Sequence, residues 1–275
     1  MVGGESGTTG AMLAVPDHAG FQEPPVLPRI CLAPARAMYL GPGLGLAPHL
    51  NMAVTLAVAL GDAFELRTWS RRTQWSAWRS CLSAQIPAGT MHHLRSSGPM
   101  AFLYLDPLTD HGDPLSPEQL DLGRHQLLAG GHRLGIGQAF AAFGLQPQPP
   151  SGSRMVKAVL EIERRPAAFG RIQEAADLAC LSPSRFRARF ASEVGLPFRR
   201  YRMWRRMAVV VRLLAQGGNM TQAALEAGFA SSAHLSSSFK RMFGLSLSDL
   251  TTLGVSIDLS EDRVVGAGEG NRTLV

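Results

Sequence analysis

Cysteine is scarce in this chain. Cys31, Cys81 and Cys180 are three in 275 residues, an odd set with no C-x-x-C spacing. A disulfide framework is therefore excluded, and a reducing, cytoplasmic setting is expected. Other chemistries are missing too. The chain has no glycine-rich loop of the Walker type and no G-x-S-x-G, so neither phosphate cradling nor serine hydrolysis has its usual carrier. The segment Gly41-Pro42-Gly43-Leu44-Gly45 carries a proline and no helical pattern after it, which argues against dinucleotide binding. Apolar runs are too short to span a bilayer, so no membrane partner is expected. The first twenty residues lack a basic segment and a long apolar run, and read as a disordered start rather than a signal peptide.

What the chain does have is one motif written twice. Ser182, Phe186, Phe190, Val194, Gly195 and Leu196 recur as Ser231, Leu235, Phe239, Phe243, Gly244 and Leu245, each pair 49 residues apart. Apolar residues at i, i+4 and i+8 make one stripe of a helix, and the glycine suits its C-terminus. Upstream, Ile172 to Ala179 reads as a short helix, Cys180-Leu181 as a turn and Ser182 as an N-cap before Pro183. In the second copy Thr221 is the N-cap candidate, Gln222 to Ala227 the first helix, and Gly228-Phe229 the turn. Ala176 and Ala224 are 48 apart, so the second turn is expected to be one residue longer. Between the copies Pro197 opens a long helical pattern with Phe198, Tyr201, Trp204, Ala208, Val211 and Leu214 at helical spacing. Each copy is a helix-turn-helix candidate, and the long helix sets their separation.

Charge follows the same division. Residues 151–250 hold 16 Lys plus Arg against 7 Asp plus Glu, a balance of +9, while residues 1–150 hold 9 against 10. A basic domain gains affinity for nucleic acid by releasing condensed counterions, so salt-sensitive DNA binding is expected.

These residues resemble the AraC/XylS family of bacterial transcription regulators over roughly residues 154–253. The strongest stretch runs from Gly228-Phe229 through His234-Leu235-Ser236 and Phe239-Lys240-Arg241 to Phe243-Gly244-Leu245-Ser246. The resemblance implies two recognition helices held by a long helix and placed in successive major-groove segments of double-stranded DNA. Two departures stand out: a run of small hydroxyls (Ser236, Ser237, Ser238) where relatives carry a longer base-reading side chain, and Leu247-Ser248-Asp249 where relatives carry a proline, a tyrosine and basic residues.

Rotation by about 100° per residue assigns side-chain roles. In the first recognition helix Phe186 and Phe190 face inward, leaving Ser184 and Arg187 for base edges and Arg185 for base or phosphate. Arg189 lies nearer the apolar stripe, where a snorkelling side chain is as good a reading as a DNA contact. In the second helix His234, Ser236, Ser237, Lys240 and Arg241 face outward, with Lys240 and Arg241 suited to phosphates. His234 reads equally well as a helix-packing histidine. The first unit is expected to carry most sequence discrimination and the second to anchor the backbone.

Residues 146–153 (QPQPPSGS) are a linker by composition, so a separate domain precedes them. Within it Met52–Leu60, Phe64–Trp69, Ser80–Ile86 and Met100–Leu105 read as strands, and residues 116–144 turn helical. Pro87 to His92 resembles the second motif of cupin barrels, and Pro48-His49-Leu50-Asn51 sits where the first would lie. Metal-binding cupins use a His-x-His pair, and here the second position is Asn51, so no metal or other cofactor is expected. The resemblance implies a metal-free sensor with His49 and His92 as ligand-binding candidates, against the plainer reading of His49, His92 and His93 as turn and barrel-mouth residues. Trp69, Trp75 and Trp78 read first as packing and second as pocket lining.

The expected fold is α+β in two domains, divided as 1–27 disordered segment, 28–145 cupin-like sensor barrel, 146–153 linker, 154–254 all-α DNA-binding domain and 255–275 flexible tail. The expected function is that of a sequence-specific transcription regulator and not an enzyme. Its expected partners are double-stranded DNA, a small-molecule effector, RNA polymerase and a second copy through residues 116–144. Two alternatives stay open: a cupin metalloenzyme fused to a DNA-binding domain, and a constitutive DNA binder with no sensed ligand.

Overall fold

The computed structural model describes residues 27–33, 36–70, 74–105, 110, 113–146, 154–259 and 271–273. Among the described residues nine strands come first: β1 (Arg29–Leu32), β2 (Ala37–Gly41), β3 (His49–Leu50), β4 (Thr55–Ala59), β5 (Phe64–Thr68), β6 (Arg79–Cys81), β7 (Ser83–Ile86), β8 (Met91–Arg95) and β9 (Met100–Tyr104). Helices α1 (Pro117–Gly130) and α2 (Ile136–Ala141) follow. Ser116 starts α1 as an N-cap, accepting from Gln119 N while the Gln119 side chain returns the bond.

The strands form two sheets. One carries β1-β2-β9-β4-β7 in spatial order and the other β3-β8-β5-β6. The sheet-rich first domain expected from the sequence is built of these two sheets, with no ladder joining them among the described residues. Strands β2, β4 and β9 are buried on both faces, which is why they read as nearly continuous apolar runs. Their period of two divides the load. Met38, Leu40, Leu56, Val58, Ala101 and Leu103 pack under Leu127, Ile136, Phe140 and Phe143 of the helical segment. Tyr39, Ala57, Ala59, Met100 and Phe102 face the other way and meet Phe64, Leu66 and Leu94 of the second sheet. The expected strand Ser80–Ile86 is instead split at the exposed Leu82: its first part belongs to one sheet and its second to the other.

The second half is helical: α3 (Arg154–Arg164), α4 (Ile172–Leu178), α5 (Pro183–Val194), α6 (Phe198–Ala215), α7 (Met220–Glu226), α8 (Ser232–Phe243) and α9 (Leu247–Thr252). The repeat is visible in its punctuation. Gly195 and Gly244, 49 apart, end α5 and α8 with φ of +73° and +77°, the left-handed cap that glycine adopts without penalty. The turns differ by one residue, as expected. Gly228 holds φ of +81° in the second turn, and Cys180, 48 residues earlier, holds φ of +53° in the first, a conformation uncommon for a side-chain-bearing residue. Helix α7 starts one residue before the expected cap: Asn219, not Thr221, is the N-cap, and its side chain accepts from Gln222 N at 2.9 Å.

The two repeat units have different cores. In the first, Phe186, Phe190 and Val194 pack with Met155, Val159, Ile162, Phe198 and Tyr201, all from the helical half. In the second, Leu235, Phe239 and Met242 share one cluster with Leu32, Ala37 and Ala53 of the first domain and with Trp204 and Met207 of α6. Further contacts bind this second unit to the sheets. Ala47 N donates to Gly244 O at 2.8 Å, and β3 packs against α8. Residues 255–275 were expected as a flexible tail. Instead β10 (Ser256–Leu259) adds in parallel beside β1, with Ile257 buried, and β11 (Asn271–Thr273) adds beside β10. Asp258 lies 3.7 Å from Arg29 and accepts from the Cys31 thiol at 3.6 Å. Burial pushes the Cys31 thiol up to about 12, so it is a packing group and not a reactive thiolate. No helix of the described residues is long and apolar enough to cross a membrane.

Candidate nucleic-acid interface and effector cavity

The expected DNA-facing residues lie where the helical rotation places them. Ser184, Arg185 and Arg187 of α5 are exposed while Phe186 and Phe190 are buried. On α8, His234, Ser237, Lys240 and Arg241 are exposed, Ser236 is half-buried and Ser238 is buried. Ion pairing sorts the cations further. Arg189 bonds Glu193 one turn on at 2.7 Å, so its charge is already engaged within the helix. Among the described residues, no ion pair involves Arg185, Arg187, Lys240 or Arg241. Arg241 Nη2 does reach Ser238 Oγ at 3.4 Å.

Two side chains of α8 are partly occupied at home. Ser237 Oγ donates to His234 O at 3.0 Å, and the His234 ring stands edge-on to Phe229 with centroids 5.4 Å apart. Both contacts leave the short hydroxyl face with little reach, and His234 sits against the turn that precedes its own helix.

His49 and His92 are brought together, but below α8. They pair across β3 and β8 with ring centroids 4.2 Å apart, both buried. Each Nδ1 sits against a backbone carbonyl, Ala47 O at 2.8 Å and Thr90 O at 2.9 Å. Burial lowers both, His49 to about 3, with His92 adding to the effect on His49. A side chain at Gly244 would meet Ala47 O and His49 Nδ1, so the end of the second recognition helix rests on His49. Asn51 bonds Thr55 Oγ1 through Nδ2 at 2.9 Å.

The tryptophans form a surface feature. Arg67 lies over the rings of Trp75 and Trp78 at 4.6 Å and 4.4 Å, Arg95 lies over Trp78 at 4.3 Å, and Trp69 is 41% exposed.

A cavity that the sequence did not reveal lies between the domains. It measures about 80 Å³ and is walled by Ile30, Leu32, Tyr39, Phe102 and Tyr104 from the sheet and by Trp204, Met207, Phe239, Phe243 and Leu250 from the helices. Neither His49 nor His92 lines it. Arg36 and Arg205 are among its lining residues. Arg36 is held by the Asp110 carboxylate, with its Nε 3.0 Å from Oδ2, and lies over the Phe140 ring at 4.4 Å. Arg205 Nη1 lies 3.5 Å from Glu163 Oε1.

A family model described as a helix-turn-helix domain matches residues 175–252, from within α4 to the end of α9. No curated protein matches the sequence. Among solved structures, an apo ToxT variant from Vibrio cholerae is similar over 78% of this chain and 96% of its own, at 11% identity and a TM-score of 0.51. ToxT bound to an unsaturated fatty acid is similar over 82% and 92% at 12% identity, TM-score 0.43. A DNA-binding transcriptional dual regulator from Escherichia coli K-12 is similar over 37% of this chain and 95% of its own at 17% identity, TM-score 0.32. The matched region holds the two units from within α4 onward, with α6 between them, behind a sheet-rich N-terminal domain, and this C-terminal part of the chain is a helix-turn-helix domain.

Proposed function

We propose that this regulator reads sequence mainly through α5, anchors the DNA backbone through α8, and is modulated by a small apolar molecule in the cavity between its domains. The observation that supports the modulation is the cavity itself: mostly hydrocarbon walls from both domains, with Arg36 and Arg205 among the lining residues. That chemistry suits an amphipathic acid, whose tail fills the apolar space and whose carboxylate meets a guanidinium. At about 80 Å³ the space is far smaller than the roughly 300–1,000 Å³ of a typical ligand pocket. A guest therefore binds only as its walls move, and it favours the moved arrangement by its differential affinity. This is linkage between effector and DNA, and it supports regulation over catalysis as the role of the N-terminal domain.

The division of labour between the helices rests on α5 presenting Ser184, Arg185 and Arg187 while α8 presents short hydroxyls beside Lys240 and Arg241. Replacing Arg187 with Ala is expected to cost about 1–3 kcal/mol on the preferred duplex and to relax discrimination at one position. Replacing Lys240 with Ala is expected to weaken all duplexes alike and to reduce the salt slope by about one. Fluorescence anisotropy on a panel of single-base variants across a salt series distinguishes them. Equal, uniform losses from both substitutions would overturn the assignment.

The exposed Leu122 and Leu128 on α1 support a homodimer through the helical segment, with RNA polymerase as a further partner and the cytoplasm as the setting.

A further inference from the structure

We infer that occupancy of the interdomain cavity is transmitted to the first helix-turn-helix unit and not to the second, and that Glu163 is the positioning residue that transmits it. The inference rests on the effector reading above and assigns its route. The second unit cannot readily move against the sensor domain. Its Leu235, Phe239 and Met242 share one core with the sheet, β10 adds a strand to β1, and Gly244 is hydrogen-bonded to Ala47. Moving it would mean opening that core and stripping a strand. The core of the first unit contains no residue of the sensor domain.

A link between the cavity and this separate core is present at one carboxylate oxygen. Glu163 Oε1, on α3, accepts from Tyr201 Oη at 2.8 Å and lies 3.5 Å from Arg205 Nη1. Arg205 lines the cavity, whereas Tyr201, one turn earlier on α6, is fully buried among the first unit's aromatic residues, 5.5 Å from Phe190. An anion entering the cavity competes with Glu163 for Arg205. Glu163 then loses its cation while still holding Tyr201, and α3 changes its seat against α6. The orientation of α5 relative to α8 changes as a result, because α6 is fixed to the sheet through Trp204 and Met207. In a two-unit DNA binder, that relative orientation decides whether both helices reach the groove together.

Full-length wild type and Glu163→Gln are compared with sodium decanoate as probe, using calorimetry for decanoate, anisotropy for a duplex obtained by in vitro selection, and amide hydrogen exchange by segment. The expected result is that decanoate binds both proteins, changes duplex affinity of the wild type about tenfold, and changes that of Glu163→Gln less than about twofold. In the wild type decanoate should alter exchange in α4 and α5 and leave α8 and β10 as they were. Full coupling in Glu163→Gln, or a response confined to α8, overturns the inference. Failure of decanoate to bind the wild type would instead count against the effector reading. The route is then tested without ligand, by the exchange of Glu163→Gln and of Tyr201→Phe, which removes one hydrogen bond and no charge. Faster exchange in α4 and α5 alone supports it, and no change, or an equal rise in α8, sinks it.

Discussion

Phe190→Ala and Phe239→Ala, the same position in two copies of one motif, are expected to fail differently. Each removes a buried phenyl ring and should cost about 3–5 kcal/mol where it acts. Phe190 packs on Phe186, Phe198 and Tyr201 inside the first unit, so its loss should melt α3 to α5 early and leave the sheets with their native transition. Phe239 packs on Phe243 in the cluster that also holds Leu32, Ala37 and Ala53. Its loss should lower the stability of the sensor sheet as well as the second unit. Segment-resolved hydrogen exchange during mild denaturation reads both. Identical, single transitions for the two variants would show that the halves unfold as one body and that the difference between their cores has no energetic meaning.

Acidification is expected to loosen the same interface. His49 and His92 are buried as neutral rings, so their folded values lie below the ordinary 6.5, at about 3 for His49. The unfolded chain takes up protons near pH 6.5 while the folded chain resists, and stability rises with pH wherever the unfolded state binds more protons. Stability is therefore full above about pH 6.5 and is lost as pH falls towards the folded values. Between pH 7 and 5 the loss should be on the order of 2 kcal/mol for His49, and His92, lowered by its burial, contributes in the same direction. His93, lowered first by burial and then by Arg67 and Arg95, adds in the same direction. Chemical denaturation at pH 7 and pH 5 measures it, with His49→Gln and His92→Gln as the comparison. A flat profile in the wild type, or an equal slope in the double variant, would contradict the burial argument.

The helical half was legible because each helix carries its own signals: a stripe at i, i+4 and i+8, a serine at the start and a glycine at the end. Asn219 was missed as a cap because Thr221 lies nearer the first helix read from the pattern. The sheet half was less legible, since its strands are short and their partners distant. The sequence shows apolar runs at β4 and β9 but gives no sign that Leu82 divides β6 from β7 between two sheets. Strand β10 alternates polar and apolar residues over only four positions, too short a run to announce a strand, and its pairing with β1 joins positions 227 residues apart. The candidate DNA-facing residues followed from helical rotation alone. The cavity did not, because its walls come from β1, β2, β9, α6, α8 and α9, and no local pattern announces a surface that exists only when two domains meet.

Hydroxyl-radical footprinting of the full-length protein on a selected duplex, repeated across a salt series, tests the two-unit account most directly. Two protected segments on one face of the duplex, about 10 base pairs apart and weakened steeply by salt, are expected. A single protected segment, or uniform protection blind to sequence, would contradict it.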